Sequence, residues 1–99
     1  MKKTFLLTHP KIKTARLIEA IRRDVKKYLK REKRKSLPDG ADYWDFDCKF
    51  GPTEDKAEMI LVSEISKCIT EVEVENLKSF YLEILAKPSL KKKFTKPKI

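Results

Sequence analysis

The stretch Tyr43-Trp44-Asp45-Phe46-Asp47-Cys48-Lys49-Phe50-Gly51 gathers the chain's most suggestive side chains. Asp45 and Asp47 stand two residues apart, so in an extended strand they share one face. With Glu83 or Asp42 they would offer oxygen ligands to a hard cation. As a carboxylate pair they also resemble an acid–base site. Against both, a loop is the usual setting for such a metal site, and carboxylates on a strand more often pair with Lys or Arg. A zinc site would need His9, Cys48 and Cys68 to converge, yet both cysteines read as inward-facing and lack CxxC spacing. The single histidine precedes Pro10, and there are two glycines in all. No phosphate loop, nucleophile elbow or HExxH is present. The expectation is therefore no catalytic residue, no metal and no cofactor: a binding protein, not an enzyme.

The alternation has a plainer meaning. Trp44, Phe46, Cys48 and Phe50 form one strand face and read as core, while Tyr43, Asp45, Asp47 and Lys49 look outward. The elements that must hold this strand follow from the rest of the chain. KKTFLLT (Lys2–Thr8) reads as a strand, and its unbroken Phe5-Leu6-Leu7 run suggests a central one. From Thr14, an N-cap candidate, Leu17, Ile18, Ile21, Val25, Tyr28 and Leu29 fall on one helical stripe that can run to about Lys35. At 1.5 Å per residue this helix outreaches a seven-residue strand, so its last turns overhang the sheet or fray. AEMILVS (Ala57–Ser63) reads as a central strand antiparallel to YWDFDCKF. EISKCITEVEVENLK (Glu64–Lys78) favours a helix, and SFYLEILAK (Ser79–Lys87) a strand ended by Pro88.

The order β-α-β-β-α-β, with right-handed crossovers, predicts an α+β ferredoxin-like sandwich: a four-stranded antiparallel sheet of order 4-1-3-2 with two helices on one face. YWDFDCKF then lies on an edge, in keeping with its charged outer side. Residues 1–88 read as one domain and 89–99 as a basic, flexible tail.

Charge is distributed unevenly. The net charge of +9 arises from a strongly basic segment 1–35, an acidic segment 36–86 and a basic end 87–99. No apolar run approaches a membrane span. MKKTFLLTHP lacks the apolar stretch and cleavage site of a signal peptide, and the unpaired cysteine spacing suits a reducing cytosol.

Lys27–Gly51 (KYLKREKRKSLPDGADYWDFDCKFG), flanked by KKTFLLTHP and YLEILAKP, resembles a family of small, basic, uncharacterised bacterial proteins, a domain of unknown function. WDFDC-K-FG is the most specific segment, and the likeness runs from about Lys2 to Pro88. The resemblance implies a bacterial cytosolic protein and carries no activity or site residue with it.

The strongest functional signal is the first helix. Arg16, Arg23, Lys27, Lys30 and Arg34 line the pole opposite the apolar stripe, flanked by Arg22, Lys26 and Lys33 on one side and Arg31 on the other. Four like-charged i,i+4 pairs (Arg23/Lys27, Lys26/Lys30, Lys27/Arg31, Lys30/Arg34) are each unfavourable by a few tenths of a kcal/mol, which a polyanion would relieve. The plainer reading is a solvated face offset by Glu64, Glu71 and Glu75 of the second helix. In the tail, Lys91, Lys92 and Lys93 precede Phe94, joining charge to a stacking ring. The sheet lacks the K/R-G-F/Y-G/A-F pattern of RNA-recognition motifs, so nucleic acid is expected on the helix. The leading expectation is a monomeric or weakly dimeric module binding RNA or another polyanion through the basic helix and tail. The alternative is a protein-interaction or self-assembly module that pairs this helix with an acidic surface.

Overall fold

A computed structural model describes residues 1–90. Strand β1 (Lys2–Leu6) leads to helix α1 (Thr14–Lys33), then β2 (Tyr43–Gly51), β3 (Glu58–Ile60), a single 3₁₀ turn (Val62–Glu64), α2 (Ile65–Val74) and β4 (Ser79–Ser89). The fold is α+β, with a four-stranded sheet whose neighbouring strands all pair antiparallel.

The strand order is β1-β4-β2-β3, not 4-1-3-2. Both arrangements pair β1 with β4 and β2 with β3. They differ in which strand of each pair faces the middle: here β4 and β2 meet at the centre, and β1 and β3 are edges. The lengths explain the choice. β2 and β4 pair continuously from Tyr43↔Ser89 to Gly51↔Tyr81, whereas β3 pairs only across Glu58–Ile60. The Phe5-Leu6-Leu7 run proves to be a masked alternation. Phe5 and Leu7 are buried, while Leu6 is 68% exposed, and the exposed Lys2 and Lys3 suit an edge. In AEMILVS, likewise, Met59 and Leu61 are exposed, and the chain turns into the 3₁₀ turn at Val62.

One core lies between the two helices and one face of the sheet. It joins Ile18, Ile21 and Val25 of α1, Ile65, Ile69 and Val72 of α2, and Phe46, Cys48, Phe80, Leu82 and Ile84 of the central strands. The apolar stripe of α1 thus packs as its spacing predicts, with Leu17, Tyr28 and Leu29 partly buried at its margins. Thr14 is not the N-cap. That position is Lys13, and the Thr14 hydroxyl donates instead to the Leu7 carbonyl at 3.2 Å, tying the helix start to the end of β1.

The far end of α1 neither frays nor floats. The Trp44 indole Nε1 donates to the Lys35 carbonyl at 2.8 Å. Glu32, buried at 9% exposure, pairs with Lys35 at 2.9 Å. The Arg31 guanidinium lies 5.7 Å from the centre of the Tyr28 ring, a cation–π distance. Helix α2 ends in a Schellman motif. Asn76 takes the left-handed conformation at φ 59°, its N–H donates to Glu73, and the Leu77 N–H donates to Val72, both at 3.2 Å.

Pro88 does not end β4, which continues to Ser89. The Ile84 N–H donates to the Met1 carbonyl at 2.7 Å, on the β1 side. Strand alternation turns Pro88's nitrogen to the same side, past the start of β1, where no donor is missed. Gly51 is constrained differently. A Cβ there would lie 2.7 Å from the Ala57 Cα and 2.8 Å from the Lys56 carbonyl oxygen. Because both obstacles are backbone, Gly51→Ala should destabilise the fold by about 2 kcal/mol. A lower urea midpoint at unchanged m-value would report it; an unshifted midpoint would show that the 52–57 loop yields freely.

Candidate nucleic-acid interface

The outward side of α1 carries a basic ridge, unbroken from Arg23 to Arg34 and preceded by Glu19 and Arg16. Arg16, Arg23, Lys26, Lys27, Lys30, Arg31 and Arg34 are all exposed. Successive i,i+4 members stand about 6 Å apart along the axis. Among the described residues the ion pairs are Glu32–Lys35 and Asp47–Lys87, so no carboxylate pairs with these seven cations. Among the described residues Glu64, Glu71 and Glu75 of the α2 region form no direct ion pair with these cations. A shallow groove of about 580 Å³ follows the ridge, lined by Glu19, Arg22, Arg23, Lys26, Lys27 and Lys30.

Arg22 has a different role from its neighbours. Its guanidinium reaches α2, donating to the Ser66 hydroxyl at 2.8 Å, the Ser66 carbonyl at 3.2 Å and the Thr70 hydroxyl at 2.7 Å. It clasps the two helices, and every one of these hydrogen-bond partners is neutral. Lys91, Lys92 and Lys93 lie outside the described residues.

Beside the ridge, between α1 and α2, is a second depression of about 210 Å³. Val25, Leu29, Val62, Ile65 and Ile69 make its walls, and Arg22, Lys26, Ser63 and Ser66 its rim. It was not foreseen from the sequence. The only hint was a Val62-Ser63 pair placed ahead of the α2 stripe, and its relevance depends on how closely α2 approaches α1.

The acidic strand resolves into local pairings. Asp45 Oδ1 accepts the Phe46 N–H at 2.8 Å. Asp47 accepts from Lys87 at 2.9 Å, and this contact holds the Lys87 ammonium above its ordinary pKa. Glu83 accepts from the Tyr81 hydroxyl at 2.8 Å. Burial first, then this hydrogen bond, pushes the Tyr81 phenol up to about 12. No three His, Cys, Asp or Glu side chains among the described residues are grouped to hold a metal ion. The Cys48 thiol is buried and raised to about 11, chiefly by desolvation and then by Asp47 and Asp45, so at neutral pH it is no nucleophile. Cys68 is also free and shifted upward by burial. His9 accepts the Lys11 N–H at Nδ1, 3.0 Å away, within the turn after β1.

A family model, described as a family of unknown function (DUF6172), matches residues 1–95. The chain belongs to the DUF6172 family. The DUF6172 match runs past Pro88 into the basic end, further than the resemblance drawn from the sequence. No curated protein and no solved structure matches the chain. No helix of the described residues is long and apolar enough to cross a membrane.

Proposed function

We propose that this DUF6172 protein is a non-enzymatic module that binds RNA or a comparable polyanion along the outer face of α1. The observation that carries this reading is the exposed row Arg23, Lys26, Lys27, Lys30 and Arg34, for which the described residues supply no ionic partner. A helix that keeps like charges at i,i+4 is under a repulsion that phosphates would remove. Contacts of this kind give affinity with little preference for base sequence. The free thiols suit a reducing bacterial cytosol, where such a polyanion is abundant.

Salt provides the test. With four phosphates engaged, log K for a single-stranded RNA should fall with log salt at a slope of about −3, roughly a fiftyfold loss from 50 to 200 mM. Absence of binding at 50 mM salt would end this reading. A second reading has its own support: Glu71 and Glu73 on α2 and Glu75 at its C-cap are exposed, and no described cation forms an ion pair with them. They would receive the α1 ridge of another copy. Sedimentation in the same salt series distinguishes the two, since self-assembly predicts an oligomer that dissociates as salt rises.

A further inference from the structure

We infer that the depression between α1 and α2 receives an unpaired nucleobase, making the preferred ligand single-stranded rather than duplex nucleic acid. This rests on the polyanion reading above and specifies its ligand. The depression and the basic groove are contiguous, because Arg22 and Lys26 line both. A strand whose phosphates follow the ridge therefore carries its bases past the opening. The walls are aliphatic, from Leu29, Val62 and Ile69, while Ser63 stands at the rim. That combination suits a flat apolar ring with a hydrogen-bonding edge. At about 210 Å³ the space is smaller than the pockets that enclose drug-sized molecules, and a single base is the appropriate scale.

Arg22 strengthens the case. Its guanidinium is fixed by Ser66 and Thr70, so a planar cation is already oriented beside the opening. Ordering it on binding carries little entropic penalty, and guanidinium planes are established stacking partners for unstacked bases. In a duplex the bases remain paired inside and cannot reach the depression. The duplex would engage the ridge by its phosphates alone.

The test compares three probes of matched charge on the full chain: a single-stranded oligouridylate, a duplex RNA and inorganic polyphosphate. The oligouridylate should bind about tenfold more tightly than the other two, the scale of one base stacked on a protein surface. Methyl NMR signals of Leu29, Val62 and Ile69 should move with the oligouridylate and stay in place with polyphosphate. Ser63→Leu, which fills the mouth without touching the ridge, should remove the oligouridylate's advantage and leave polyphosphate affinity unchanged. Equal affinities with unmoved methyls would overturn this inference and leave the polyanion reading intact. Failure of all three probes to bind would overturn both. Methyl shifts caused by an acidic amphipathic peptide but not by RNA would assign the depression to a protein and refute the nucleobase.

Discussion

Replacing Arg23, Lys27, Lys30 and Arg34 together by glutamate should weaken RNA binding at least about a hundredfold at 50 mM salt and flatten its salt dependence. The four side chains lie on one exposed line of α1, and none is held by a described carboxylate. Their removal therefore subtracts phosphate contacts without breaking an ion pair of the fold. Reversal adds repulsion where there was attraction. The effect on stability is small by the same geometry. Two of the four repulsive pairs, Lys26/Lys30 and Lys27/Arg31, become attractive, Arg23/Lys27 and Lys30/Arg34 stay like-charged with opposite sign, and the opposite charges of Glu19 and Arg23 become like ones. A negative charge at position 34 opposes the helix dipole. These increments nearly cancel, so the thermal midpoint should move by less than about 5 °C. Lys49→Glu, a reversal on the open sheet face, is the control and should leave affinity unchanged. If the quadruple variant binds as the parent does, or if Lys49→Glu is equally damaging, the interface lies elsewhere.

Phe80→Ala should be the most damaging single change to stability, at about 3–5 kcal/mol. Phe80 has 0% exposure. Its ring lies 5.3 Å from that of Phe5 on one side and 5.3 Å from that of Phe50 on the other. Those two rings belong to β1 and β2, the strands that flank β4. The substitution thus opens a cavity at the point where three strands meet and also removes two aromatic pairs. Against a typical total of about 5–15 kcal/mol, the thermal midpoint should fall by roughly 15–30 °C. Leu85→Ala, on the open face of the same strand, should change stability by no more than about 0.5 kcal/mol. The contrast also examines the strand order. If β4 were an edge strand, as the ferredoxin-like order requires, Phe80 would lose a flanking ring and the penalty would approach that of an ordinary edge residue.

Element type was legible in the sequence because periodicity is local. The α1 stripe and the core face of β2 needed only the spacing of side chains. Neighbourhood was not legible, because it depends on comparing segments far apart. Phe5-Leu6-Leu7 looks central in isolation, yet Leu6 points to solvent and the strand is an edge. Pro88 looks terminal in isolation, yet its nitrogen faces a side where β1 has already stopped. The site divides in the same way. The ridge was visible as a helical row of cations. Arg22 could not be separated from that row, since Ser66 and Thr70 lie more than forty positions away. The depression beside it arises from the packing of α2 and has no periodic signature at all.

The strand order has a consequence for how the molecule is made. Of the two central strands, β4 is also the last of the four along the described chain, and Lys2 finds its partner only at Glu83. Until β4 leaves the ribosome, β1 has no neighbour and β2 has only the short β3. Most of the sheet must therefore form late and together, through contacts of long sequence separation, which is the topology that slows folding. A nascent chain stopped before Ser79 would leave Phe46 and Phe50 without Ala86 and Leu82, the strand partners they have in the finished sheet.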